Sequence, residues 1–313
     1  MLKNPKACIL GIAFALLALP DSPALAKEKI VANFTSLAEP FFVFMRREII
    51  DEAKQLDVEV AVLDGQSSSP KQTADIENAL AQGVDGIILA PNDVKALTPV
   101  VNEVLKEKVP IVTVDRRVEG ADKPVPHVGA DNVAGGRKMA KWVIDNFPNG
   151  ARIVFLTGQP GSSTGIDRAK GVREGIAAGG EKYKIVAEQT ANWSRDQGLS
   201  VTQSILTSLT GNPPDVIIAS NDDMALGALE AVHTLGLKNV KVIGFDAVPE
   251  ALRKVKSGEL GATVEQNGGQ QIRTALRMLV ENIRKGAEMK STNIEPILIT
   301  PNNLQDAARY SEM

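Results

Sequence analysis

From Lys29 onward, short β-branched runs alternate with longer amphipathic stretches, and the alternation runs through twice. The first pass predicts strands over 29–34, 58–64, 85–91, 109–115 and 127–131; the second predicts 151–158, 184–190, 215–222, 240–246 and 261–266. Apolar residues at helical spacing predict helices over roughly 41–56, 72–82, 95–107, 132–146, 164–178, 196–209, 223–235, 248–257 and 268–285. Runs such as "DGIILAP" and "DVIIASND" are apolar on both strand faces. Strands of that kind are covered on both sides, as in a parallel sheet built from βαβ units. About five strands in each pass imply an α/β architecture of two similar doubly wound lobes rather than one continuous sheet. An eight-fold barrel would also alternate strands with helices. It would not set 109–115 and 127–131 in succession with no helix between them.

The first residues follow a different grammar. Lys3 and Lys6 precede an apolar run from Cys8 to Leu19, and small residues follow at Ala24 and Ala26. This is the order of a secretory signal, with cleavage expected after Ala26. A membrane anchor competes with that reading, but the run is shorter than the roughly 20 residues a spanning helix needs. Cys8, the chain's one cysteine, lies inside the run rather than after it, so no lipid anchor is expected. The mature chain then has no disulfide or thiol chemistry, which suits a periplasmic protein large enough to hold its core without staples. Removing Lys3, Lys6 and Asp21 leaves 33 basic and 37 acidic residues among 287, a net charge of −4. No basic block suited to nucleic acid or anionic lipid remains. No later apolar run reaches spanning length, so stable membrane insertion is not expected. The chain is expected to be a monomer.

Open parallel sheets bind ligands at the carboxyl ends of their strands, and the polar residues gather there. Strand 29–34 leads to Glu39, Pro40, Phe41 and Phe42, and strand 109–115 ends in Asp115, Arg116 and Arg117. Strand 215–222 reaches Asn221, Asp222 and Asp223, with Asp222 expected to cap the next helix. Phe245 and Asp246 close 240–246, and Glu265, Gln266 and Asn267 lie at the end of 261–266. Four of the eight phenylalanines fall between 34 and 44. Phe34 and Phe44 are expected in the core, while Phe41 and Phe42, at the strand-to-helix corner, face the crevice. Carboxylates that accept from neighbouring hydroxyls, guanidinium forks that donate, and rings that stack on C–H faces suit a sugar or polyol. Hydrogen bonds to charged groups contribute about 1.5–3 kcal/mol against 0.5–1.5 for neutral ones, so Asp and Arg would anchor the ring.

Enzymatic readings find little support. His127 and His233 are the only histidines, and without cysteine they suit no zinc site. "GQPGSSTG" (158–165) lacks the Gly-Lys-Ser/Thr of a phosphate loop; close approach of its backbone to a neutral ligand is the better reading. Ser162 and Ser163 have no histidine nearby in sequence to form a triad. No cofactor, metal or catalytic residue is expected. With no histidine in the crevice, affinity is expected to be flat between about pH 6 and 8.

The segments "EPFF", "DR" (115–116), "DNVAGGR" (131–137), "NDDMALGAL" (221–229), "GFDAVPE" (244–250) and "ATVEQN" (262–267) together resemble the periplasmic ribose-binding-protein group. Members of that group are the substrate-capturing subunits of ABC-type sugar importers. The likeness runs from about Lys29 to Leu304 in one motif order. Within the group, "VPHVGADNVAGGR", "EQTAN", "KVIGFDAVPEAL" and "QIRTALR" look most like the inositol-binding branch. The resemblance implies two lobes, 27–130 with 265–292 and 131–264 with 293–313, joined by three crossings and closing over a ligand.

It implies residue roles as well. Phe41 and Phe42 would sandwich the ring, and Asp115 and Arg116 would grip adjacent hydroxyls. Arg168 and Trp193 would approach from the second lobe, and Asn221, Phe245, Asp246 and Gln266 would complete the set. Glu39 and Ala90 stand where ribose binders carry amides. Losing the amide at 90 suits a six-membered ring, and an acidic Glu39 fits hydroxyls or an amino group. The implied cargo is a cyclitol or monosaccharide, myo-inositol first, with ribose, a hexose, an amino sugar or a furanosyl signalling molecule as alternatives. The implied partner is a membrane permease. A sugar-sensing regulator shares the two-lobed core but would carry a DNA-binding module where this chain has its expected signal. A secreted enzyme is the remaining rival.

Overall fold

The structure is a computed structural model and describes Met1 and residues 27–313. Beyond Met1, the signal expected over 1–26 lies outside the described residues. The chain first builds β1 (Lys29–Phe34), α1 (Pro40–Leu56), β2 (Glu59–Asp64), α2 (Ser69–Ala81), β3 (Gly86–Leu89), α3 (Thr98–Lys106), β4 (Ile111–Val114) and β5 (His127–Ala130). It crosses to form α4 (Asn132–Asn146), β6 (Ala151–Thr157), α5 (Ser163–Ala178), β7 (Tyr183–Thr190) and α6 (Arg195–Ser208). The same lobe continues with β8 (Val216–Ala219), α7 (Asp222–Thr234), β9 (Lys241–Ile243), α8 (Pro249–Ser257) and β10 (Thr263–Glu265). The chain returns for α9 (Gly268–Lys285) and β11 (Thr292–Ile294), then crosses again to β12 (Ile297–Ile299).

Six strands in the order β11-β5-β4-β3-β1-β2 make one all-parallel sheet. The order β7-β6-β8-β9 makes a second parallel sheet. A bridge from Ile243 to Ala262 carries that sheet towards β10, which pairs antiparallel with β12. The two doubly wound lobes read from the alternation are present. β11 and β12 escaped the sequence reading, because three-residue strands are too short to display a period. Since β11 pairs with β5, Thr292–Ile294 stays with the first sheet. The third crossing therefore follows Ile294 rather than falling at 292/293.

Every residue of β3, β4 and β8 is buried, which is why these strands are apolar on both faces. Helix α1 begins with Pro40 in its first turn, where a missing N–H costs little, and stops at Asp57 in the left-handed region (φ 56°). Its buried side packs Phe41, Phe42, Met45 and Ile49 with Ile272, Leu276 and Leu279 of α9. Each such side chain contributes about 1.5–3 kcal/mol when fully buried. Phe34 is in this core as expected. Phe44 is not: half-buried, its ring lies between the guanidiniums of Arg309 and Arg47, at 4.5 and 5.1 Å, and Met45 takes the core position.

In the second lobe α4 and α5 touch backbone to backbone. A Cβ at Gly136 would lie 2.3 Å from the Arg168 carbonyl oxygen, and one at Gly171 would lie 2.1 Å from that of Val133. The close approach brings Asn132 within 2.7 Å of Arg168 Nε. Gly171→Ala is expected to cost about 1–3 kcal/mol by forcing the helices apart. Urea unfolding measures this, and wild-type stability would show that the helices separate freely.

Candidate functional site

Turns at the carboxyl ends of strands from both sheets converge on a narrow cavity. Glu39, Phe41, Phe42, Asp115 and Arg116 border it from the first lobe. Thr164, Arg168, Trp193, Asn221 and Asp246 border it from the second, and Gln266 from the crossing after β10. Ten of the eleven residues expected from the sequence are thus brought together. Phe245 is not among them: it is fully buried, and its ring lies 3.6 Å from the Arg168 guanidinium, which it supports from behind. Ala90 is also fully buried and does not border the cavity. Thr164 was missed, its only sequence signal being a hydroxyl run at a helix start. Gly158, ahead of it, and Gly165, directly after it, make room for an indole rather than for a ligand. A Cβ at Gly158 would lie 2.1 Å from the Trp193 ring, and one at Gly165 would lie 3.3 Å from it.

The backbone bends sharply to present these side chains. Asp115 (φ 58°), Trp193 (φ 64°) and Asp246 (φ 115°) all have positive φ. Such conformations cost on the order of 1–3 kcal/mol each and persist only where the surroundings hold them. Asn221 fixes one of them. Its Oδ1 accepts from the Met224 N–H (2.9 Å), capping α7, while its Nδ2 donates to the Trp193 carbonyl (3.3 Å). Asp222, expected as the cap, has another task. Its Oδ1 accepts from the Thr263 hydroxyl at 2.7 Å and its Oδ2 from the Val248 N–H at 2.9 Å, tying α7 to β10 and α8.

Two buried guanidiniums dominate the cavity walls. Arg168 donates from Nε to Asn132 Oδ1 and from Nη1 to the Ser220 carbonyl, both at 2.7 Å. Its Nη1 stands 3.6 Å from Asp246 Oδ1, which also accepts from Gln266 Nε2 at 2.7 Å. Arg116 donates from Nη1 to Thr35 Oγ1 at 3.2 Å and lies over the rings of Phe42 and Trp193 at 5.4 and 5.5 Å. Its Nη2 is 3.4 Å from Glu39 Oε2, and its Nε is 3.7 Å from Asp115 Oδ2. By contrast, the outer pairs Arg277–Glu52 and Arg284–Glu28 close to 2.6 Å. Among the described residues, Asp115 Oδ1, Arg116 Nε and Trp193 Nε1 are buried with no hydrogen-bond partner. A hydroxyl lying alongside such a pair can donate to the carboxylate and accept from the guanidinium, which hold each other only loosely.

Burial raises the carboxyls around the cavity. It pushes Glu39 up to about 7 against the opposing pull of Arg116, and Asp222 up to about 7 against its two hydrogen bonds. Asp115 and Asp246 are also raised by burial, opposed by Arg116 and Arg168 respectively. The absence of histidine therefore does not make the site silent between about pH 6 and 8, because Glu39 titrates there. The folded chain holds more protons on Glu39 and Asp222 than the unfolded chain. The stability they contribute is present in full below their ordinary values of 4.5 and 3.8, and is lost as pH rises through about 7. Between about pH 5 and 8, Tm of the ligand-free protein should fall more steeply for wild type than for Glu39→Gln. Equal slopes would remove Glu39 from the titration.

A family model for the periplasmic binding protein domain matches residues 30–288. The ribose import binding protein of Salmonella typhimurium is 35% identical over 263 residues, covering 83% of this chain and 86% of that protein. The Caulobacter myo-inositol binding protein, solved bound to myo-inositol, is 54% identical with a TM-score of 0.91, covering 93% of this chain and 99% of that one. An ABC transporter solute binding protein from Bacillus halodurans with bound myo-inositol is 30% identical with a TM-score of 0.85, covering 91% of this chain and 98% of that one. This chain belongs to the periplasmic binding protein domain family.

Proposed function

We propose that this chain is an exported solute-binding protein that captures a cyclitol or monosaccharide, myo-inositol first, and delivers it to the permease of an ABC-type importer. The observation that carries the reading is the spacing of the cavity's ion pairs. At 3.4, 3.6 and 3.7 Å, Arg116–Glu39, Arg168–Asp246 and Arg116–Asp115 stand beyond the ~2.7–2.9 Å of a charge-assisted bond. A ring of vicinal hydroxyls can bridge such pairs, each hydroxyl donating to a carboxylate and accepting from a guanidinium. Phe41 and Phe42, packed edge to face at 5.4 Å, offer the apolar surface that the ring's C–H faces need. Asp115 and Arg116 belong to one lobe, Arg168 and Asp246 to the other. Ligand contacts with both lobes favour closure, and nothing is catalysed. Identity of 54% with a protein solved with myo-inositol supports the choice of cargo.

Glu39 favours a second reading within the same class. The cavity is lined by three carboxylates, Glu39, Asp115 and Asp246, against two guanidiniums, Arg116 and Arg168. The Glu39 side chain also caps no N–H of α1. An ammonium group would balance the surplus carboxylate, so an amino sugar or aminated cyclitol fits. Calorimetry with myo-inositol, ribose and glucosamine separates the readings. Myo-inositol is expected to bind most tightly; tighter glucosamine, with the preference lost in Glu39→Gln, would establish the amino cargo instead. Asp246→Ala should weaken binding by about 2–5 kcal/mol, since Arg168 is left buried without its carboxylate. Wild-type affinity in that variant would remove Asp246 from the site.

A further inference from the structure

A second set of contacts spans the cleft without bordering the cavity. We propose that Arg117, Ser163 and Asp167 form an interlobe latch, a positioning device that slows reopening of the closed lobes without choosing the cargo. The inference rests on the solute-binding reading above and adds what governs release. Arg117 follows Arg116 at the end of β4, while Asp167 precedes Arg168 on α5 and Ser163 precedes Thr164. Each latch residue is thus one position from a residue in the cavity wall. The Arg117 guanidinium engages Asp167 through both terminal nitrogens, with Nη2 3.3 Å from Oδ1, and its backbone N–H donates to Ser163 Oγ at 3.0 Å. Within its own lobe, Glu119 Oε1 accepts from Arg117 Nη2 at 2.9 Å and holds the guanidinium towards the partner lobe.

The neighbouring loops make the same junction. The Val94 N–H donates to the Gly161 carbonyl at 2.9 Å, and Gln159 Nε2 donates to Asn92 Oδ1 at 3.1 Å. Gly161 has positive φ (81°), and a Cβ there would lie 2.0 Å from Asp93 Oδ2, so the closed junction admits no side chain at 161. Every one of these bonds joins the two lobes and stabilises the closed form relative to the open one. The side chains of Arg117 and Asp167 remain 34% and 20% exposed, so water can enter and break the pair. None of the three latch residues borders the cavity, so the latch acts alike on every solute that permits closure.

Stopped-flow dissociation, read by tryptophan fluorescence with myo-inositol and ribose as probes, tests the latch. Arg117→Gln and Asp167→Asn should each raise koff about twofold to fivefold, with the myo-inositol to ribose affinity ratio unchanged. The charge swap Arg117→Asp with Asp167→Arg should recover part of the loss. Added salt should speed dissociation more in wild type than in Asp167→Asn, because it screens a partly exposed pair. A wild-type koff in both single variants, or a tenfold change in the affinity ratio, overturns the proposal. Small-angle scattering of the ligand-free proteins reads the same equilibrium without cargo. A larger radius of gyration in both variants supports the latch, and equal radii overturn it. If neither probe binds wild type, the cargo reading falls and scattering alone decides the latch.

Discussion

Two arginines, buried on opposite walls of one cleft, set the terms for everything around them. Taking a guanidinium out of water costs several kcal/mol unless its donors are met. This chain meets many of them with neutral partners. Arg168 spends Nε on Asn132 and Nη1 on the Ser220 carbonyl, and rests its face on Phe245. Arg116 spends Nη1 on Thr35, whose hydroxyl donates onward to Asn92 at 2.9 Å, and faces Phe42 and Trp193. Neutral anchors hold each guanidinium in place without drawing the carboxylates in. Asp115, Asp246 and Glu39 are left within reach of the cations but not collapsed onto them.

The scaffold serves those anchors. Asn132 opens α4 directly after the first crossing, and it reaches Arg168 because glycines 136 and 171 let α4 and α5 touch. Thr35 and Asn92 belong to a buried polar chain at the ends of β1 and β3. In it, Gln72 donates to Asn33 Oδ1 and to the Ala90 carbonyl and accepts from the Asn92 N–H, at 3.0, 2.9 and 2.8 Å. The Ala90 backbone carbonyl, which any residue there would supply, helps to position Gln72, and Gln72 holds Asn92 behind Arg116. Polar networks of this kind act as units, because each unmet group in a low-dielectric interior is costly.

What the sequence shows of this arrangement follows from how local each signal is. Strand ends are legible because Asp115, Arg116 and Asp246 interrupt apolar runs that have no other use for charge. Arg168, mid-helix on α5, and Trp193, in a loop, carry no such mark and emerge only through family resemblance. Phe245 looks like a site residue because it adjoins Asp246, yet the backbone bends at Asp246, and Phe245 is buried against the Arg168 guanidinium instead. The cap of α7 is misplaced by one residue for a similar reason: Asn221 and Asp222 are both good caps, and tertiary bonds to Val248 and Thr263 decide between them. Titration of Glu39 is hidden altogether. It depends on burial and on Arg116, a residue 77 positions away.

Closure imposes a final constraint on how strong any interlobe contact can be. Moving an equilibrium from 1:99 to 99:1 needs about 5.5 kcal/mol of differential binding. Two or three hydrogen bonds from a ligand to the charged groups of the second lobe, at about 1.5–3 kcal/mol each, supply that amount. Contacts that need no ligand must stay well below it, or the lobes would shut before the solute arrives and the apparent affinity would fall with the open population. A partly exposed pair such as Arg117–Asp167 is of a suitable size, since such pairs contribute about 0–1 kcal/mol. Buried Arg168 is suited to the opposite task. On the proposed reading its neighbour in the chain, Asp167, sets how long the cleft stays shut, whereas Arg168 and Asp246 would make shutting depend on what lies inside.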